Sequence, residues 1–295
     1  MANVEQPVPS HGPLARVPSG VLVLGAIASV QLGAAIATTL FATLGPGGTV
    51  FERLAFGALI LLAFWRPRLS GRSRPELMQA AVFGLVLAAM NLTFYESLNR
   101  IPIGIAVALE FVGPLTVALL GSRRALDLLW VALAAAGILI LTNPGGHSLD
   151  GLGVLLALLA GCFWGAYIVL NARLGQTFPG GAGLALGMLV GAVAVAPLGI
   201  AEGGTGLVSV EGLALGGAIG LLSSVIPYSF ELEALRRIAP PVFGVLMSLE
   251  PGMAAVAGFL VVGQPITIRL VAGIVLVAAA SVGATREGGE VPVAV

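Results

Sequence analysis

The chain has 295 residues, 58% of them hydrophobic and only 9% charged, and its 14 acidic residues balance its 14 basic ones to a net charge of zero. A soluble domain carries about 25% charged residues, so a water-exposed globule of this composition would show apolar patches that soluble monomers rarely tolerate. All 14 basic residues are arginine, which excludes a Walker A lysine, and with it an ATP-driven pump within this chain, as well as a lysine Schiff base. One cysteine, Cys162, and two histidines, His11 and His147, leave no disulfide, zinc or haem framework. Neither a metal nor a cofactor is expected, and the balanced charge argues against a nucleic-acid partner.

The composition predicts an all-α integral membrane protein. Residues 1–19 read as a polar tail. The apolar run Gly20–Phe41 is long enough to span a bilayer and reads as a first transmembrane helix in place of a cleaved signal peptide. Further spans are expected at Thr49–Trp65, Leu77–Leu98, Ile101–Leu120, Leu126–Leu141, Leu152–Leu170, Ala182–Ile200, Leu213–Phe230, Val242–Val262 and Ile266–Ala284, ten in all. The loops between them are short, and residues 286–295 form a second tail.

Arginine placement sets the orientation, because cytoplasmic loops carry the excess of positive charge. With the N-terminus inside, the cytoplasmic segments hold eleven arginines (Arg16, Arg66, Arg68, Arg72, Arg74, Arg123, Arg124, Arg173, Arg236, Arg237 and Arg286) and the outer loops only Arg100 and Arg269. Both termini are therefore expected in the cytoplasm. Glu96-Ser-Leu-Asn-Arg-Ile-Pro102 is echoed by Glu233-Ala-Leu-Arg-Arg-Ile-Ala-Pro240, and each precedes a span with a central glutamate. The chain thus divides into two five-helix repeats, residues 20–143 and 150–285. An odd number of spans inverts the second repeat, an architecture of secondary transporters with the site between the halves near the midplane.

The central glutamates are Glu110 and Glu250, nine and eight residues into their spans. A charge at that depth costs about 2.5–3.5 kcal/mol on insertion scales, so each must face a cavity, find a partner or take up a proton. They are candidates for proton coupling or for binding a substrate ammonium. The plainer alternative is a protonated glutamate bonded to a neighbouring helix. Pro114 lies four residues beyond Glu110, and Pro251 directly follows Glu250. Proline breaks the helical ladder, which is tolerated at membrane depth where the backbone lines a cavity. Arg53 is the candidate carboxylate ligand, with snorkelling to the interface as its alternative. Gln31, Asn91, Tyr95, Trp164, Tyr167, Tyr228 and Ser248 are candidate cavity residues, each also open to a packing role. Glycines at four-residue intervals (Gly183, Gly187 and Gly191; Gly212, Gly216 and Gly220) read as close helix contacts.

The run Asn91–Arg124, with Ala28-Ser-Val-Gln31, Arg53-Leu-Ala-Phe-Gly57, Trp164-Gly-Ala-Tyr167, Pro227-Tyr-Ser229 and Leu246-Met-Ser-Leu-Glu-Pro251, resembles bacterial threonine/homoserine exporters. These belong to the EamA branch of the drug/metabolite transporter superfamily, and the resemblance covers about residues 20–285. It implies a bacterial inner-membrane carrier that exports small amino acids in exchange for protons by alternating access. A carrier of the same fold for other metabolites, aromatic amino acids or drugs is the alternative. The family's motif positions fall on Gln31, Arg53, Asn91, Tyr95, Glu110, Pro114, Trp164, Tyr167, Tyr228, Glu250 and Pro251. Glu52 and Glu96 depart from the family pattern, where uncharged residues are expected. A small-molecule substrate, protons and the bilayer are the expected partners, and a homodimer is left open.

Overall fold

The computed structural model describes residues 17–68, 70–120, 127–142, 149–235, 237–238 and 240–287. His11, His147, Arg16, Arg123, Arg124 and Arg236 lie outside the described residues. Regular structure among the described residues is entirely helical: α1 (Ser19–Thr39), α2 (Phe41–Trp65), α3 (Arg74–Leu98), α4 (Ile103–Glu110), α5 (Val112–Leu120), α6 (Asp127–Thr142), α7 (Gly151–Thr177), α8 (Ala182–Gly203), α9 (Val210–Gly220), α10 (Ile226–Leu235), α11 (Pro240–Met247), α12 (Glu250–Ala257) and α13 (Ile268–Glu287). Short 3-10 and π turns extend α8, α9 and α12. Among the described residues, seven helical stretches are long and apolar enough to cross a bilayer. Three shorter apolar helices accompany them, at Ile103–Val117, Leu128–Leu141 and Ile268–Gly283.

Helix directions follow from the contacts. Val17 at the start of α1 accepts a hydrogen bond from Arg237, just past α10, whereas Gln264, past α12, accepts from the backbone of Ile103 at the start of α4. α1 therefore starts, and α10 ends, at one face of the bundle, and α4 starts at the other. The C-terminal end of α13 returns to the same face as the start of α1, which we call the terminal face.

Three prolines shape the middle of the bundle by one rule. Proline lacks the N–H that the carbonyl four residues earlier would accept. Pro114 frees the Glu110 carbonyl, and α4 ends at Glu110. Pro251 frees Met247, and α11 ends there. Pro227 frees Ser223, and the chain runs as a π-helix from Leu221 to Val225, a device that recurs at functional sites.

The start of α2 lies eight residues ahead of the sequence expectation. Gly45-Pro46-Gly47-Gly48 carries the signature of a loop, yet the chain kinks only at Gly45 (φ 68°) and continues as helix. The Glu202 carboxylate accepts the Gly47 N–H at 2.7 Å, satisfying a donor that the new helix start leaves bare. Arg53 consequently sits in the middle of α2 and not one turn inside it.

Lipid is as apolar as leucine, so helices in a bilayer associate through close packing at small residues. A Cβ on Gly84 would clash with the Gly187 carbonyl oxygen, and one on Gly113 with that of Gly161. A Cβ on Gly183, Gly191, Gly216 or Gly220 would likewise meet atoms of a neighbouring segment closer than ordinary contact, whereas one on Gly212 would meet Gly206 and Ser209 in the turn before its own helix. At the terminal face α3 begins with a capping box, in which Ser73 N–H donates to Glu76 at 2.7 Å and Glu76 N–H donates to the Ser73 hydroxyl. Ser73→Ala is expected to cost about 1 kcal/mol, read as a fall of about 2–4 °C in the melting temperature of the detergent-solubilised protein.

Candidate functional site

A cavity of about 550 Å³ lies between α1, α2, α3, the α4–α5 break, α7, α10, α11, α12 and α13, within the usual range for small-molecule sites. Arg53 from α2 reaches it through a fixed frame. Its Nη2 donates to the Ser223 carbonyl at 3.0 Å, the carbonyl freed by Pro227, and its Nη1 donates to the Tyr95 hydroxyl at 3.3 Å. The guanidinium also lies 5.5 Å from the centre of the Tyr95 ring. With two of its nitrogens held this way, Nε has no hydrogen-bond partner among the described residues. The guanidinium is thus oriented but not saturated.

The acids approach from α4 and α12. Gln31 of α1 donates through Nε2 to Glu250 Oε1 at 2.9 Å. Gln31 Oε1 and Glu250 Oε2, on residues only 3% and 7% exposed, have no partner among the described residues. Two bare acceptors on hydrogen-bonded side chains suit a donor with several N–H groups. Glu110 interacts electrostatically with both Glu250 and Arg53. Its position depends on a glycine crossing: a Cβ on Gly161 of α7 would lie 2.6 Å from the Glu110 carbonyl oxygen. Only glycine lets α7 approach the proline-freed backbone that closely.

Aromatic rings wall the space. Trp164 meets Phe111 edge-on at 5.3 Å, and Tyr167 packs on Phe83 at 5.3 Å. Tyr167 and Tyr228 interact with one another and with Arg53. Asn91 lines the cavity while its amide donates to the Leu87 carbonyl at 2.8 Å.

Of the residues singled out from sequence, Gln31, Arg53, Asn91, Glu110, Pro114, Trp164, Tyr167, Tyr228 and Glu250 border the cavity. Tyr95 does not: it is fully buried behind Arg53, between Phe41 and Phe94. Ser248 also lies off the cavity, bonded to Ser281 and to the Gly244 carbonyl, each at 3.0 Å. Pro251 is buried in the first turn of α12 and marks the break without lining the space. Glu52 turns away from Arg53 and packs against Gly216.

Beside Glu110 and Glu250 the cavity holds a third acid, Glu231 of α10, which the spans expected from sequence leave outside. The expected eighth span ends at Phe230, where the apolar run stops, whereas the helix continues to Leu235. The available signal was spacing: Glu231 follows Tyr228 by three residues and so shares its face of the helix.

Comparison with known proteins agrees with this architecture. Residues 151–286 match the EamA-like transporter family. The chain is 41% identical over 266 residues to threonine/homoserine exporter RhtA of Salmonella typhimurium (strain SL1344), covering 90% of each chain. It is 40% identical over 267 residues to RhtA of Escherichia coli (strain K12), again covering 90% of each. It is 27% identical over 226 residues to the uncharacterized inner membrane transporter YedA of Escherichia coli (strain K12), covering 70% of each. A crystal structure sharing 16% identity superposes with a TM-score of 0.65 over 92% of this chain and 97% of that one, a likeness of fold. Identity of this extent over nine tenths of the chain places it in the EamA family, so the protein is a multi-pass membrane transporter and not an enzyme.

Proposed function

We propose that the protein exports small amino acids such as threonine and homoserine across the bacterial inner membrane, in exchange for protons. The observation that carries this reading is the identity to RhtA exporters along nearly the whole chain. The cavity chemistry supports it: Arg53 offers a free Nε for a carboxylate, and Gln31 and Glu250 offer bare acceptors for an ammonium. A zwitterion satisfies both ends at once. Protons and the ammonium compete for Glu110 and Glu250, which gives antiport its physical basis.

In this account ten spans form two inverted five-helix repeats, with both termini cytoplasmic. The repeats rock about the cavity, as in other inverted-repeat carriers. Away from the terminal face, α4 and α12 are packed together: a Cβ on Gly104 would lie 2.9 Å from that of Ala255. Gly244, the counterpart of Gly104 when the repeats are matched at Glu110 and Glu250, borders the cavity instead. This asymmetry supports a state closed to the outside and open toward the cytoplasm.

Efflux from cells loaded with threonine through a dipeptide feed tests the reading. Cells carrying the protein are expected to release threonine faster than an empty strain, and an uncoupler is expected to remove the difference. Equal rates in the two strains would overturn threonine as cargo. Because Trp164, Phe111 and Phe243 add aromatic wall to the cavity, competition by aromatic amino acids identifies the same-fold alternative.

A further inference from the structure

We propose that Glu231 selects cargo by charge at the mouth of the cavity on the terminal face, drawing in ammonium groups and turning away anionic amino acids. The proposal rests on the amino-acid export reading above and names a residue and a selectivity that reading lacks.

Glu231 borders the cavity one turn before the end of α10. That places it nearer the terminal face than Glu250 or Arg53. Asn171 of α7 and Phe243 of α11 line the same region, each close to the end of its helix at that face. The Glu231 carboxylate has no hydrogen bond or ion pair among the described residues. Its neighbour Glu233 provides the contrast, since Glu233 is ion-paired with Arg237. Of two acids two residues apart, one is matched by a cation and the other borders the cavity with no cation paired to it among the described residues.

A carboxylate alone would make no site. The second observation lies deeper, where Glu250 Oε2 and Gln31 Oε1, in the same cavity, are buried acceptors without partners among the described residues. Glu231 interacts electrostatically with Glu250 and, through Tyr167 and Tyr228, adjoins the residues that face Arg53. Carboxyl groups thus extend from the mouth to the central acceptors, with Arg53 beyond. An amino acid arriving ammonium first follows a falling potential, while a second carboxylate on its side chain meets repulsion at the mouth.

The test reads the charge of the cavity without relying on cargo. In full-length protein in nanodiscs, with Cys162→Ser removing the one native thiol, Ile168→Cys places a reporter on the cavity wall. Its reaction rates with a trimethylammonium and a sulfonate methanethiosulfonate reagent give a cation-to-anion ratio. Glu231→Gln is expected to lower this ratio about tenfold at low salt, and by less at high salt. Glu231→Asp, which keeps the charge, is expected to retain it. In cells, Glu231→Gln is expected to raise the apparent KM for threonine efflux and to let aspartate compete. A ratio unchanged by Glu231→Gln overturns the proposal even if threonine is exported. A ratio that falls in a protein that does not export threonine upholds the charge selector and overturns the cargo assignment instead.

Discussion

Glu250→Gln is expected to abolish proton-coupled export, with threonine efflux at equal membrane abundance falling about 10–100-fold, the loss that follows from removing a charged hydrogen-bond partner at a buried site. The amide still accepts from Gln31 through its oxygen, so the 2.9 Å contact and the packing of α1 on α12 persist. At Oε2, however, an acceptor without a partner becomes a donor. It then repels an ammonium and no longer takes up a proton. The residual flux is expected to be indifferent to an uncoupler. Glu110→Gln is expected to act in the same direction, because Glu110 adjoins both Glu250 and Arg53. Wild-type flux with unchanged sensitivity to the proton gradient in both variants would refute the coupling role.

A disulfide across the packed end of α4 and α12 is expected to stop transport completely and reversibly. In a Cys162→Ser background, Gly104→Cys and Ala255→Cys place two thiols where the Cβ separation is 2.9 Å. Native disulfides span about 3.5–4.5 Å between Cβ atoms, so a shift of under about 1 Å accommodates the bond. Oxidation is expected to hold this end shut and block efflux, and a reductant is expected to restore it. The repeat-related pair Gly244→Cys and Leu115→Cys is expected to cross-link poorly at rest and better when the opposite state is favoured. Full efflux with the Gly104–Ala255 pair oxidised would show that the two helices do not part during transport.

The longer apolar helices were legible in the sequence because hydropathy alone locates them. α1, α3, α7 and α8 lie within a few residues of their expected positions except at the C-terminal end of α7, which continues to Thr177. The start of α2 was hidden because Gly45-Pro46-Gly47-Gly48 reads as a loop wherever water can solvate the backbone. Here Glu202, 155 residues away, supplies the acceptor that lets a helix begin. No local pattern encodes that contact. Glu231 was hidden for a related reason: an apolar run marks where lipid ends, whereas a helix lining a polar cavity continues past it.

The faces of the helices were the other obscure feature. A helix apolar on all sides gives no direction toward the cavity, so Tyr95 and Ser248 looked as good as Tyr167 and Tyr228. The structure separates them by partner: Tyr95 buttresses Arg53 and Ser248 is bonded to Ser281, while Tyr167 and Tyr228 face the open space. The prolines were the most informative residues. Removing one donor each at Pro114, Pro227 and Pro251 sets a helix end at Glu110, the Ser223 carbonyl that holds Arg53, and a helix end at Met247.

The central claim is best tested with the purified protein reconstituted into liposomes containing radiolabelled threonine, with a proton gradient imposed across the bilayer. Protons flowing in are expected to drive threonine out faster than with no gradient, and Glu250→Gln is expected to remove the acceleration. Threonine release that is the same with and without the gradient, or the same in empty liposomes, would contradict proton-coupled export.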